Sequence, residues 1–98
     1  MNYRFHPAAE AEYLEQIAFY RSRQQSLGSR YRELFLKTIG QVCETPAQYA
    51  IEHPPDIRRV RLRAFPLTVI YRERDAMVQV LAIAHNRRRP GYWLGRVF

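Results

Sequence analysis

The residues best suited to chemistry lie in the second half of this 98-residue chain. Lys37 is the only lysine among 16 basic residues, so nearly all of the cations are arginines. Guanidinium groups make planar, bidentate contacts with carboxylates and phosphates, and they stack on aromatic rings or bases. His85 and Tyr71 lie among them and add groups that can titrate. These residue types predict a basic site with a titratable histidine. Its arginines are Arg59, Arg61, Arg63, Arg72, Arg87, Arg88 and Arg89.

Charge is unevenly distributed along the sequence. The formal net charge at pH 7 is +7. Most acidic residues lie before residue 53, whereas most arginines follow residue 57. A GC-rich genome would also favour arginine codons, so the ratio of arginine to lysine decides nothing by itself. The positions are more informative, because they predict a basic patch suited to nucleic acid or to an acidic protein.

Composition excludes several kinds of site. Cys43 is the only cysteine, so no internal disulfide can form, and a zinc site would depend on the scattered His6, His53 and His85. We therefore expect neither a metal nor a cofactor. The longest apolar runs are a few residues, and the start of the chain has no signal-peptide hydrophobic region, which predicts a cytoplasmic protein without membrane association. Length and 47% hydrophobic content predict a single domain over 1–98.

The first half of the sequence predicts helices. Residues 3–5 predict a short strand, and the Ala- and Glu-rich stretch from Ala8 to about Gln25 predicts a helix with Pro7 in its first turn. We interpret Leu27-Gly28 as the end of this helix, and Ser29 as the cap of a second helix that runs to about Glu44. The two helices are expected to form an antiparallel hairpin.

The second half alternates with the two-residue period of strands. Prolines exclude regular structure over residues 46–56, which we expect to be a long loop. Three antiparallel strands are then predicted over residues 57–63, 67–72 and 77–84. The last two are apolar on both faces, although two helices can cover only one face of a sheet. The other face is expected to be an open binding surface, unless the loop or the C-terminal tail covers it.

Three motifs follow one another in this second half. They are Arg58-Arg59 before a strand, Phe65-Pro66 ahead of Val69-Ile70-Tyr71, and the closing His85-x-x-Arg88-x-Pro90-x-Tyr92-Trp93. Their order and spacing resemble the ParE/RelE superfamily of type II toxins, over nearly the whole chain. The resemblance implies a RelE-like α+β fold, with a short N-terminal strand and an antiparallel helix hairpin on one face of a mostly antiparallel sheet (β-α-α-β-β-β). It also implies a chromosomal or plasmid stabilisation module, with an antitoxin that forms a hetero-oligomer with the toxin and alone contacts operator DNA.

Members of this superfamily differ in their targets. RelE-like members cleave messenger RNA on the ribosome, which needs proton transfer to and from oxygen and cations beside the phosphate. If the chain is such a nuclease, the site residues are Arg61, Tyr71, His85 and Arg87. RelE-like nucleases commonly carry an arginine shortly before this tyrosine and a lysine pair near the first strand of the meander; here Thr68 stands in the arginine's place, and the only lysine lies on a helix. The sequence therefore favours the ParE branch, whose studied members inhibit DNA gyrase without being enzymes, and no catalytic residue is assigned.

Two contact surfaces are expected from this resemblance. An acidic antitoxin segment would lay apolar anchors on the sheet and pair its carboxylates with strand arginines. The residues expected to bind it are Arg59, Arg61, Arg63, Val69, Leu81 and Ile83. The residues expected to bind the target are Arg87, Arg88, Arg89, Tyr92 and Trp93. Each assignment has an alternative. Tyr92 and Trp93 could instead pin the C-terminal tail onto the helices, and His85 could be a structural hydrogen-bonding residue. For the whole chain, the alternative is a family member that has lost toxicity while keeping its partner.

Overall fold

The computed structural model describes residues 1–96 and residue 98. Its elements are β1 (Asn2–Phe5), α1 (Pro7–Arg23), α2 (Gln25–Glu44), a 3₁₀ turn (Pro46–Gln48), β2 (Ile51–His53), β3 (Ile57–Leu62), β4 (Leu67–Arg74) and β5 (Met77–His85). The strands lie in the order β1-β5-β4-β3-β2; β1 is parallel to β5, and the other neighbours are antiparallel. The predicted α+β fold is confirmed. Neither helix has the length and hydropathy of a membrane-spanning segment.

The junction between the helices differs from the prediction. A single residue with extended backbone, Gln24, separates α1 from α2, so neither Leu27-Gly28 nor Ser29 marks a helix end. Gly28 lies inside α2, buried against α1, where an added Cβ would lie 3.1 Å from the Cβ of Arg21. The absence of a side chain at Gly28 therefore lets the two helices approach closely. The local sequence does not show this contact between helices.

The stretch from residue 46 to residue 56 is not the long loop that was predicted. It contains the 3₁₀ turn and β2, in which Ile51 and His53 pair with the start of β3. The guanidinium of Arg58 donates to the carbonyl of Tyr49 at 2.6 Å, and that of Arg59 donates to the carbonyl of Ile51 at 3.0 Å. The prolines exclude only their own positions, so a strand short enough to lie between them still forms.

The larger core lies between the helices and the inner face of the sheet. Aromatic rings form a continuous path through it, from Tyr3 to Phe35 (centroids 6.2 Å apart), Tyr13 (4.6 Å), Tyr31 (5.6 Å) and Phe65 (5.6 Å). Each such pair adds about 0.5–1.5 kcal/mol beyond the area it buries. This path joins β1, both helices and the turn after β3, and so fixes the sheet that carries the site.

A smaller core lies on the outer face of the sheet. Ile57, Ile70, Leu81 and Ala82 are buried there beneath Trp93, whose side chain is 3% exposed. A β-bulge in the pairing of β4 with β5 adds a residue at Leu81. The tail therefore covers the apolar residues of this smaller core, as the alternative had it, and the expectation that they are open is wrong.

Two fully buried tyrosines allow a matched test of side-chain hydrogen bonding. Oη of Tyr71 donates to the carbonyl of Pro46 at 2.6 Å, whereas Oη of Tyr31 has no partner among the described residues. We expect Tyr71→Phe to lower the free energy of unfolding by about 1 kcal/mol or more, because the Pro46 carbonyl loses its donor. Tyr31→Phe should leave this energy unchanged or raise it. Urea denaturation measures both, and equal losses would contradict this assignment.

Candidate functional site

An open groove of about 300 Å³ lies on the outer face of the sheet. Arg59 and Arg61 of β3 form one wall, and Arg88 and Arg89, from the turn after β5, form the other. Alternation along β3 produces the first wall, because the even-numbered residues of that strand point towards the helices. The floor is apolar and consists of Ile70, Ala84 and Trp93. We call this site the arginine groove.

The four arginines of the groove differ in their contacts. Arg59 is held by Glu52 at 3.4 Å and by a backbone carbonyl. The guanidinium of Arg88 stands 3.8 Å from the ring centroid of Tyr92. Arg61 and Arg89 are exposed, and neither has a carboxylate within 4.0 Å in the part of the chain that the structure describes. The groove therefore presents two arginines held in place and two that are free to bind an anion.

The polar residues at the end of the groove stabilise the turn after β5. Nδ1 of His85 accepts a hydrogen bond from the backbone N–H of Arg87 at 3.1 Å, which assigns the ring proton to Nε2. Oγ1 of Thr68 donates to Oδ1 of Asn86 at 2.8 Å. His85 thus makes a structural hydrogen bond, and it also lines the groove.

The residues expected of a nuclease site do not come together. Arg61 and His85 line the groove, but Tyr71 lies on the opposite face of the sheet, where it is fully buried in the larger core. Burial raises the pKa of Tyr71 to about 12. Arg87 is exposed and is not part of the groove lining. The sheet therefore separates Tyr71 from Arg61 and His85, and the residues predicted for a nuclease do not form one site.

The apolar anchors expected for an antitoxin are buried. Val69 and Ile83 pack in the larger core, and Leu81 packs in the smaller one, each of them 1–2% exposed. The expectation of exposed anchors is wrong, because the helices cover Val69 and Ile83 on the inner face and Trp93 covers Leu81 on the outer face. Arg63 lines a second cleft between β3 and α2, and Arg61 borders both this cleft and the groove.

Tyr92 and Trp93, which are expected at a target interface, belong to a closing segment, residues 91–96. The segment begins at Gly91, whose φ of +79° is one that other residues rarely adopt, and where an added Cβ would lie 3.1 Å from Cδ1 of Leu94. This turn lays Trp93 on the outer face of the sheet and brings the hydroxyl of Tyr92 to Glu12 on α1. Tyr92 thus fastens the tail to a helix, as the alternative had it, whereas Trp93 fastens it to the sheet instead.

Glu12 is the functional candidate that sequence reasoning missed. Its Oε1 accepts from the backbone N–H of Ile83 and from Nη1 of Arg96, both at 3.0 Å. Its Oε2 accepts from Oη of Tyr92 at 2.9 Å and from Nη2 of Arg96 at 2.8 Å, and Arg88 lies 3.6 Å away. Burial and the hydrogen bond to this carboxylate raise the pKa of Tyr92 to about 12. The same carboxylate raises the pKa of Arg96.

Comparison with known proteins settles the family. A family model described as the ParE toxin of the type II toxin–antitoxin system parDE matches residues 3–90. The chain belongs to the ParE toxin family. The solved structures include a similar one, described as the chromosomal ParDE toxin–antitoxin system from P. aeruginosa, with a TM-score of 0.62 and 16% identity over 87% of this chain and 95% of that chain. A search of curated proteins gave no match.

The family match confirms the predicted resemblance to ParE and includes all four arginines of the groove. At 16% identity, the structural likeness shows that this ParE toxin shares the fold. The family match ends at Pro90. Tyr92, Trp93 and Arg96 therefore lie beyond it, although they close the outer face of the sheet.

Proposed function

We propose that this ParE toxin inhibits DNA gyrase and that an acidic antitoxin neutralises it by covering the arginine groove. Membership of a type II toxin family supports both parts. The observation that carries the proposal is the groove, where the exposed guanidinium groups of Arg61 and Arg89 border an apolar floor. Such a surface fits a partner segment that is both acidic and apolar. Since gyrase acts on DNA in the cytoplasm, the toxin is proposed to act there.

Part of each surface expected from the sequence lines this one groove. Arg59 and Arg61 were expected to bind the antitoxin, whereas Arg88 and Arg89 were expected to bind the target; they form its two walls. A segment that fills a groove of this volume contacts both walls at once. We therefore propose that the antitoxin occupies the surface that the target requires. Operator DNA is contacted only through the antitoxin in the resulting hetero-oligomer.

A paired activity assay tests the proposed target. Purified toxin, freed of antitoxin, is titrated into a gyrase supercoiling reaction and, in parallel, into a translation reaction. We expect supercoiling to fall, with cleaved DNA trapped on gyrase, while translation continues. Addition of antitoxin should restore supercoiling. Unaffected gyrase together with cleaved messenger RNA would contradict the proposal.

A ribosome-dependent ribonuclease is the second candidate function, because His85 and Arg61 line the same groove. The variant His85→Asn separates the two candidates, since its side-chain oxygen can still accept from the N–H of Arg87 but cannot transfer a proton. We expect this variant to inhibit growth as strongly as the wild-type toxin when expression is induced. A nuclease that used His85 would lose about 10²–10⁴-fold in rate. Loss of toxicity with an unchanged circular dichroism spectrum would favour the nuclease.

A further inference from the structure

The closing segment is fastened to the body of the toxin by one carboxylate. We propose that Glu12 is a positioning residue that holds residues 91–96 across the outer face of the sheet and thereby sets the wall of the arginine groove that contains Arg88. Tyr92, Arg96 and Arg88 all lie within 3.6 Å of its two oxygens. The link to partner binding rests on the proposed function, whereas the fastening itself does not.

Glu12 and Arg96 complete the edge of the sheet beside β5. β1 pairs with β5 only as far as Val80, whose carbonyl accepts a hydrogen bond from the backbone N–H of His6. Beyond that point, β5 still pairs with β4 on one side but, among the described residues, has no strand on the side of β1. Glu12 accepts from the N–H of Ile83 at 3.0 Å, and Arg96 donates to the carbonyl of Leu81 at 2.9 Å. The pair thus replaces the missing strand and satisfies backbone groups that would otherwise be left without partners.

The ion pair between Glu12 and Arg96 is bidentate. The two guanidinium nitrogens of Arg96 face the two oxygens of Glu12 at 3.0 and 2.8 Å, and the two side chains are 16% and 13% exposed. A bidentate pair that is shielded from water is stronger and more specific in geometry than an exposed one. Without the negative charge of Glu12, the guanidinium groups of Arg96 and Arg88 would both remain beside the Tyr92 ring with no carboxylate partner among the described residues. Their repulsion would then favour release of the segment.

The fastening controls a wall of the groove. Arg88 is held from two sides, by the ring of Tyr92 at 3.8 Å and by Glu12 at 3.6 Å. Trp93, in the same segment, forms part of the floor. Release of the segment would therefore free Arg88 and uncover the smaller core.

The test uses the fluorescence of Trp93, which is the only tryptophan in the chain. Glu12→Gln removes the charge and keeps the size of the side chain. Glu15→Gln is the matched control, because Glu15 is exposed on the same helix and has no ion pair within the described residues. We expect Glu12→Gln to shift the emission to longer wavelength and to increase quenching by acrylamide, with an unchanged far-ultraviolet circular dichroism spectrum. Wild-type emission and quenching in this variant would overturn the proposal.

A second variant keeps the test decisive if Glu12→Gln fails to fold. Arg96→Gln breaks the same ion pair from the tail and leaves Glu12 bonded to the backbone of Ile83. We expect the same change in Trp93 emission. A folded Arg96→Gln variant with its tryptophan still shielded would overturn the proposal equally.

The consequence for binding is measured with a fluorescein-labelled hexaglutamate peptide. Fluorescence anisotropy should show about tenfold weaker binding to Glu12→Gln than to Glu15→Gln, as expected for one disordered charge contact, although both variants gain the same net charge. Exposure of Trp93 with unchanged peptide affinity would uphold the fastening and contradict the proposed role of the groove. Weaker binding with Trp93 still shielded would overturn the fastening.

Discussion

Reversal of charge at both Arg61 and Arg89 is expected to weaken the complex with the antitoxin by at least about 100-fold. Each guanidinium lies in the groove without a carboxylate partner among the described residues, so each is available for an acidic segment. Loss of one partner from a desolvated charge pair costs about 2 kcal/mol or more, and 1.4 kcal/mol corresponds to tenfold in affinity. Isothermal titration of Arg61→Glu/Arg89→Glu with the cognate antitoxin measures the loss.

The control for this variant carries the same change of net charge elsewhere. Arg30→Glu/Arg32→Glu reverses two exposed arginines on α2, outside the groove. We expect its affinity for the antitoxin to stay within a few-fold of the wild-type value at physiological salt, where distant exposed charges are screened. Equal losses in the two double variants would show that net charge, rather than the groove, controls binding. Arg59 is not suitable for charge reversal in this test. Its guanidinium contacts Ile51 and Glu52, so its reversal would also disturb β2.

Replacement of Trp93 by alanine is expected to lower the free energy of unfolding by about 3–5 kcal/mol. The side chain is 3% exposed and covers the smaller core, so its removal exposes Ile70, Leu81 and Ala82 to water. Total stabilities of small domains are about 5–15 kcal/mol, so this loss is a large share of the whole. The midpoint of thermal unfolding should fall by more than about 10 °C.

A neighbouring residue supplies the comparison for this stability measurement. Leu94 lies in the same closing segment but is 50% exposed. Leu94→Ala should change the free energy of unfolding by no more than about 0.5 kcal/mol, as is usual for surface positions. A loss for Trp93→Ala as small as that for Leu94→Ala would mean that the tail does not complete a core.

The parts of the fold that could be predicted are those with a local pattern. The two-residue period gives the positions of β3, β4 and β5, and the apolar spacing and first-turn proline give α1. Gly28 was misassigned because its role is set by Arg21 on the neighbouring helix. The strand β2 was missed because three residues are too few to show a period, and they lie in a stretch bounded by prolines.

The candidate site was predicted in its chemistry but not in its grouping. Composition predicts that arginines form the site. It does not predict that Arg61 and Arg89 line the same groove, because that depends on the register of the sheet. Alternation shows which side chains of a strand share a face of the sheet, but it does not show what covers that face. For this reason the sequence predicts an exposed Leu81. Glu12 and Glu15 are both helical glutamates in sequence, and only the fold brings Tyr92, 80 positions away, to one of them.

We propose that the arginine groove is the surface through which the toxin acts. Supercoiling by purified gyrase, measured with increasing amounts of free toxin, tests it most directly when the wild type is compared with the two double variants. We predict that the wild type and Arg30→Glu/Arg32→Glu inhibit at similar concentrations, and that Arg61→Glu/Arg89→Glu, with an unchanged circular dichroism spectrum, does not inhibit. Inhibition by the groove variant at the wild-type concentration would contradict the claim.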